Sequence, residues 1–454
     1  MDKNENAGKL GLFSLVCIAA GNVIGVGIIT TTGLAIAQTG RSVWISYGLA
    51  VLIGFLWLLP GCFFASIAKF KGGAYTTITA CMGQRAGGIY ALWWLPMFIM
   101  MALMGTALGM YVNSLLPMIP VKWAGIAVST LFFVVNLFGV NAMSKLQNPL
   151  TIFLLICLIS FSVVGFFHLN FGAFNVGGSE YYLNGGIGIL DGLMLLTFST
   201  GGHALVNACS WDAKRPKKDI PLAIIITTGI ILVLYVSVSF VAGNVLPVSE
   251  VAGQPLTHVA KVLFTGALFP IFIIGGPLMA LATSTNAGYP TITAPVLGAI
   301  RNGWLPSGIA KTNKHGVPWI LYTVMWLLCV IPMLLNISLS ALTAYTVMTM
   351  RISGIMAIIA AFFIPTKFKE QWEKSWMHMP NWLYYTIMSI AAITNFAAII
   401  LNVRTLNLPV FIANVVLVAI LAGIACYRYA AGKTRVNITY VFDENSEEEA
   451  GQKI

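Results

Sequence analysis

Charge is the scarcest property of this chain: 9% of its 454 residues are Asp, Glu, Lys or Arg, whereas 58% are hydrophobic. A soluble domain carries roughly a quarter of its residues as charges, so an ordinary aqueous globule is excluded. Seven cysteines are present, in or beside apolar stretches and without CxxC spacing, which excludes a disulfide framework or zinc ribbon and reads as buried thiols. The five histidines (His168, His203, His258, His315 and His378) are scattered, and no HExxH occurs. A membrane-embedded enzyme would need a tighter acid-base or metal constellation. There is no GxxxxGK[ST] to couple ATP. The repeated filter signatures and charged rings of a channel-like pore are missing too. No cleavable leader is expected, because Lys3 and Lys9 run directly into an apolar stretch longer than a signal peptide's core.

What the chain has in quantity is apolar length. Stretches of about 20 residues, enough to cross about 30 Å of hydrocarbon, fall at 10–38, 42–69, 86–116, 121–140, 149–170, 186–210, 219–246, 260–289, 317–335, 339–364, 381–403 and 407–430. They are called segments 1 to 12 below. Loops between them are short, so any functional surface is expected inside the bundle. Basic residues alternate between loops: the loops holding Lys69, Lys71, Arg85, Lys145, Lys214, Arg215, Lys217, Lys218, Arg301, Lys311, Lys314, Lys367, Lys369 and Lys374 share a side with the tails. The other loops hold only Arg41, Lys122, Lys261 and Arg404. This asymmetry predicts a multi-pass cell-membrane protein with both termini cytoplasmic. It also accounts for the net charge of +11 without nucleic acid as a partner. The end from Gly432, with Asp443, Glu444, Glu447, Glu448 and Glu449, is expected to be a solvated acidic tail.

Two segments are interrupted. Segment 1 contains Gly21-Asn22-Val23-Ile24-Gly25-Val26-Gly27, and segment 6 contains Phe198-Ser199-Thr200-Gly201-Gly202-His203. One such break alone fits a close-packing face of small residues. Two breaks five segments apart point to an inverted-repeat transporter with its site at mid-membrane. A broken helix exposes N–H groups at its new N-terminus and carbonyls at its new C-terminus, and in lipid these need a polar partner. The N–H groups near Val26, Gly27 and Ile28 suit a carboxylate, with Gly25 and Gly27 allowing close approach. Carbonyls from Gly21 through Asn22 and Val23 to Ile24 suit an ammonium group or a metal cation. In segment 6 the carbonyls near Phe198 and Ser199 and the donors beyond Gly202 repeat the division, with Ser199 and Thr200 as small polar walls. A solute with one anionic and one cationic end, an amino acid, fits both breaks.

On these residues the chain resembles the amino acid-polyamine-organocation transporter superfamily. Ile24-Gly25-Val26-Gly27-Ile28 is similar to its IGxGI carboxylate turn, Gly72-Gly73-Ala74-Tyr75 to its GGxY segment, and Phe198 through Gly202 and Asn207 to Pro216-Lys217-Lys218-Asp219-Ile220-Pro221 to its F-x-x-x-G…N…PKxxIP pattern. Asn302-Gly303-Trp304-Leu305-Pro306 with Gly316-Val317-Pro318 resembles its DG-x-LP…GxP loop. The resemblance covers segments 1 to 9. It implies an all-α integral membrane protein of 12 transmembrane helices. These form a five-plus-five inverted repeat with discontinuous helices 1 and 6, plus two extra C-terminal helices. The expected domains are a cytoplasmic N-terminus (1–9), repeat 1 (10–170), repeat 2 (171–364), helices 11 and 12 (365–430) and the tail (431–454).

The chain departs from the superfamily at Phe63 and Ala204, where acidic residues are common, and at Leu154, where one branch carries a lysine whose ammonium occupies a cation position. A sodium ion is the candidate occupant instead. Ala280, Thr283 and Ser284 share one helix face by their spacing, and with the carbonyls of Gly21 and Ile24 they resemble the sodium site of relatives with the same fold; hard cations favour such oxygen ligands. No other cofactor is expected. His203, at the aromatic position after the segment 6 break, is a candidate gate, ligand or proton carrier. Arg351, midway along segment 10, is a candidate gate residue, paired with an acidic group or carbonyls, Asp191 being the acid of choice. The function expected is secondary active transport of small neutral amino acids by alternating access, with the bilayer as setting and no obligate protein partner. A proton-coupled or exchange carrier of amines or polyamines is the alternative.

Overall fold

The computed structural model describes residues 10–25, 27–405, 408–434, 437–442 and 450–453. These residues are mostly helical. Eight helices among them are long and apolar enough to cross a membrane, and four shorter apolar helices accompany them: Leu12–Val23, Val121–Asn136, Trp319–Leu334 and Asn414–Ala430. Many outward-facing side chains are large and apolar, among them Val163, Val233 and Ile393, as expected where lipid rather than water is the solvent.

Segment 1 divides into an α-helix at Leu12–Val23, a π-turn at Gly27–Thr31 and a second α-helix at Thr32–Thr39. Segment 6 behaves differently from the expected clean break. Its α-helix, Gly185–Leu196, tightens into 3-10 geometry over Thr197–Thr200 and again over Gly202–Asp212. Segment 7 forms an unbroken helix, Pro216–Asn244, which starts with proline at its first position and Asp219 in its first turn; both are favoured where N–H groups lack intrahelical partners. Segment 8 starts later than expected. Leu256–Leu263 is a separate helix, and the long helix is assembled from Leu268–Ile273, a π-turn at Ile274–Leu278 and Met279–Arg301.

The connections collect at two ends. At one, Arg41 N–H donates to Glu180 O at 3.0 Å, Asn170 N–H to Asn244 O at 2.9 Å and Gly253 N–H to Gly33 O at 2.7 Å. Buried Arg41 also pairs with Glu180 at 2.9 Å. Gly40 turns the chain here with φ +69°, where a side chain would strike Glu180 O. At the other end, Leu10 N–H donates to Asp212 O at 2.9 Å, Lys367 Nζ to Ala80 O at 3.2 Å and Trp376 Nε1 to Lys217 O at 3.0 Å.

The tail corrects an expectation. Instead of running free from Gly432, it returns to this second end as a strand, Asn437–Val441 (β2), antiparallel to Lys69–Phe70 (β1) and to Ala450–Lys453 (β3). The reason is alternation: Ile438, Tyr440 and Phe442 project to one face. Ile438 is buried, and Tyr440 packs on Phe70 at 5.7 Å and Phe368 at 6.0 Å between ring centres. Asn437 N–H donates to Asn302 Oδ1 at 2.8 Å, and Lys217 Nζ donates to Phe442 O. The acidic residues 443–449 lie outside the described residues.

Lys69 and Val441 are opposed in the register, and directly opposed antiparallel Cα atoms lie about 4.5–5.5 Å apart, within disulfide range. Lys69→Cys with Val441→Cys should therefore cross-link on mild oxidation, seen as loss of two free thiols by mass spectrometry. Lys69→Cys with Asn437→Cys, displaced about 13 Å along the strand, should not; equal cross-linking of both pairs would rule out the register.

Candidate functional site

The first helix of segment 1 ends where Ile24 N–H makes its last bond, to Ala20 O at 2.8 Å, and Ile24 then turns extended (φ −82°, ψ 92°). Hydroxyls from neighbouring segments meet the carbonyls left open. Ser284 Oγ lies 2.6 Å from Gly21 O, 3.0 Å from Ala280 O and 3.5 Å from Ile24 O. Tyr235 OH lies 3.0 Å from Val23 O and 3.4 Å from Ser199 O, bridging segments 1 and 6. Thr31 Oγ1 donates to Gly27 O at 2.6 Å, Thr32 Oγ1 to Ile28 O, and Asn22 Nδ2 back to Ile18 O at 3.0 Å. No acceptor for the Gly25 N–H is found among the described residues. Val26 lies outside them.

The glycines let the two broken segments touch. A Cβ on Gly27 would lie 2.2 Å from Ser199 Cβ, one on Gly202 2.2 Å from Asn22 O, and one on Gly25 2.7 Å from Ser284 Oγ. Gly21 is pressed by the Gln147 amide and by Thr283. Backbone meets backbone at Gly202 and Asn22, while Gly21, Gly25 and Gly27 lie against neighbouring side chains, and none of the four has room for a methyl group.

Segment 6 presents separate faces to separate neighbours. With three residues per 3-10 turn, positions three apart eclipse, and Phe198, Gly201, Ala204 and Asn207 all line a cavity of about 180 Å³ with Trp57, Trp94, Met97 and Arg351. Ser199 and Gly202 face segment 1 instead. Thr200 Oγ1 donates to Ala50 O at 3.2 Å. His203, expected at the pocket, is fully buried on a third face, with Nε2 2.9 Å from Thr228 Oγ1. The expectation rested on His203 standing beside the break in sequence, which does not decide the face it takes.

Arg351 does not pair with Asp191, which is exposed. It donates from Nη2 to Thr197 Oγ1 at 2.6 Å and stands 4.3 Å above the Trp57 ring. Of the five positions expected to hold a cation, Gly21, Ile24 and Ala280 place their carbonyls 2.6, 3.5 and 3.0 Å from Ser284 Oγ, whereas Thr283 Oγ1 donates within its own helix to Ala280 O at 2.9 Å. One hydroxyl proton cannot satisfy three carbonyls, so the set has surplus acceptors and its chemistry suits a hard cation. Leu154 is packed among apolar residues beside it. Phe63 sits against Trp372 at 5.4 Å and Tyr384 at 5.1 Å, an aromatic cluster in place of an acid.

Sequence reasoning passed over two groups. Tyr235 gave no signal among its apolar neighbours. The amides Asn136, Asn286 and Gln147 did, being polar within apolar segments. They form a buried chain, Asn136 Nδ2 to Asn286 Oδ1 at 3.1 Å and Asn286 Nδ2 to Gln147 Oε1 at 2.8 Å, and Gln147 Nε2 reaches Cys17 O at 3.4 Å beside the break.

A multi-pass helical bundle whose two broken segments interlock through glycines, beside a closed cavity, is the architecture of a membrane permease. The chain belongs to the amino acid permease family, whose model matches residues 10–430. It is 25% identical over 340 residues to the branched-chain amino acid permease BcaP of Bacillus subtilis (strain 168), covering 69% of this chain and 71% of that one. It is 25% identical over 405 residues to the serine/threonine exchanger SteT of the same organism, covering 84% and 89%. The lysine-specific permease LysP of Lactococcus lactis subsp. cremoris (strain MG1363) is 25% identical over 332 residues, 67% and 64% of the two chains.

Adjacent glycines should respond oppositely to a methyl group. Gly202→Ala forces its Cβ into Asn22 O, at a cost of about 1–3 kcal/mol from overpacking, whereas at Gly201 the nearest atom is the flexible Met350 Cε at 3.7 Å. Thermal melting in detergent should fall for Gly202→Ala and stay near wild type for Gly201→Ala; equal shifts would contradict the interlock.

Proposed function

We propose that the protein is a secondary active transporter of amino acids, chiefly small neutral ones, working by alternating access around the segment 1 and segment 6 breaks. The observation that carries the reading is the Gly25 N–H, which has no acceptor among the described residues, in a buried, glycine-lined turn. The donors at Gly25, Gly27 and Ile28, with Val26, receive the carboxylate, and the carbonyls around Asn22, Phe198 and Ser199 receive the ammonium group. Ser199, Thr200 and Gly202 bound the pocket. Carbonyls held by single hydroxyls from Tyr235 and Ser284 can exchange partners when cargo arrives.

The full arrangement proposed is twelve transmembrane segments in a five-plus-five inverted repeat followed by two more, with both termini in the cytoplasm. The division of the loops into two contacting sets and the crowding of basic residues into one of them support it. Sodium is the proposed coupling ion. Gly21 O, Ile24 O, Ala280 O, Ser284 Oγ and Thr283 Oγ1 would hold it, and its charge would tie the two helices that meet there. Ala204, which stands where acidic residues are common in the superfamily, argues against a second cationic group on the cargo, and so against dibasic amino acids and polyamines. An exchange mode has one specific support: a relative aligned over 84% of the chain is named an exchanger.

Purified protein in liposomes should take up alanine or serine well above putrescine, and equal uptake would refute the cargo class. Replacing external sodium by choline should depress uptake, and Ser284→Ala should raise the half-saturating sodium concentration by roughly tenfold, the scale of one lost hydrogen bond to a charged group. Uptake indifferent to choline replacement overturns sodium coupling. Uptake that requires preloaded internal amino acid would select exchange.

A further inference from the structure

Arg351 has no ion-pair partner among the described residues, although it is buried within an apolar segment and lines the cavity. An unpaired buried cation is costly and conspicuous in a membrane protein. Its surroundings leave the charge uncompensated. Thr197 takes one of its five N–H donors at 2.6 Å, Trp57 covers one face of the guanidinium at 4.3 Å, and neither brings negative charge. Two more cavity-lining residues carry buried polar atoms without partners, Ser353 Oγ and Asn395 Oδ1.

We propose that this cavity is a binding site for a carboxylate carried on a small apolar body, with Arg351 as the anion receptor. The planar guanidinium fork matches a carboxylate in bidentate fashion, and Ser353 can donate a further bond. The remaining wall, formed by Trp94, Met97, Phe198 and Met350, suits a hydrocarbon group. At about 180 Å³ the space is below the usual range for drug-sized ligands and suits a small solute. A segment 6 backbone separates this site from the segment 1 turn, because Phe198 and Gly201 face the cavity while Ser199 and Gly202 face segment 1. The proposal therefore does not rest on the transport reading.

Three probes separate the chemistry: 4-methylpentanoate has the carboxylate and no ammonium, 3-methylbutylamine has the amine and no carboxylate, and leucine has both. Isothermal calorimetry on detergent-purified full-length protein should show 4-methylpentanoate binding to wild type and weakening at least about tenfold in Arg351→Gln, the scale of losing a charge-assisted pair. The amine should not bind at this site. If leucine weakens in parallel, the carboxylate is the amino acid's own; if leucine is unaffected, the site takes a separate monocarboxylate, and both results support the assignment. Absence of 4-methylpentanoate binding, equal affinity in Arg351→Gln, or complete displacement by chloride at matched concentration would overturn it. Should Arg351→Gln not be recovered folded, Ala357→Trp, which fills the cavity and leaves the guanidinium in place, is expected to give the same loss, and unchanged affinity there refutes the proposal equally.

Discussion

A backbone opened inside lipid cannot turn to water, and each polar group left bare costs several kcal/mol. Everything near the centre of this bundle follows from how the interruption at Ile24 and Gly25 is accommodated. The answer is borrowed hydroxyls: Ser284 from segment 8 meets three carbonyls, and Tyr235 from segment 7 meets one carbonyl of each broken segment. These partners need the backbones within contact distance, which is why glycine recurs at 21, 25, 27 and 202. The packing role of these glycines and the role proposed for them in presenting backbone to a solute are one requirement, because a backbone close enough to be capped by a serine is also bare enough to be approached.

Segment 6 solves the same problem differently. By tightening into 3-10 geometry it keeps local hydrogen bonds while narrowing its cross-section, and its side chains fall into three columns. Ser199 and Gly202 close on segment 1, Thr200 and His203 tie back to segments 2 and 7, and the column of Phe198, Gly201, Ala204 and Asn207, joined by Leu205 and Ala208, forms a wall of the Arg351 cavity. Exchanging which column faces which neighbour would take about a third of a turn. The polar contacts on two columns are single hydroxyl bonds, each worth about 0.5–1.5 kcal/mol net, so the segment is held without being locked.

Much of this was legible from residue types alone. An asparagine and three glycines in an apolar run mark a break, and of the residues spaced on one face of segment 8 the structure sets Ser284 Oγ against the carbonyls of Gly21 and Ile24. What was not legible depended on period or on partners distant in sequence. His203 was expected at the pocket from its place beside the break, yet its ring faces Thr228 of segment 7, a partner distant in sequence. Arg351 was expected to seek Asp191 because a charge suggests a countercharge, yet it meets a hydroxyl and an indole face. The tail's acidic composition obscured the alternation of Ile438, Tyr440 and Phe442 just before it, which is enough to form a strand.

That strand bears on the centre of the molecule through the loops it joins. β2 pairs with Lys69–Phe70 at the end of segment 2, takes Asn302 after segment 8 and is reached by Lys217 at the start of segment 7. Segments 7 and 8 are the same two that supply Tyr235 and Ser284 to the break in segment 1. The hydroxyl caps at mid-bundle and the strand at one end therefore restrain the same pair of segments at two heights. Moving segment 7 relative to segment 8 must either carry that end along or strain the contacts of β2, so the described part of the tail belongs to the mechanical frame around the broken helices.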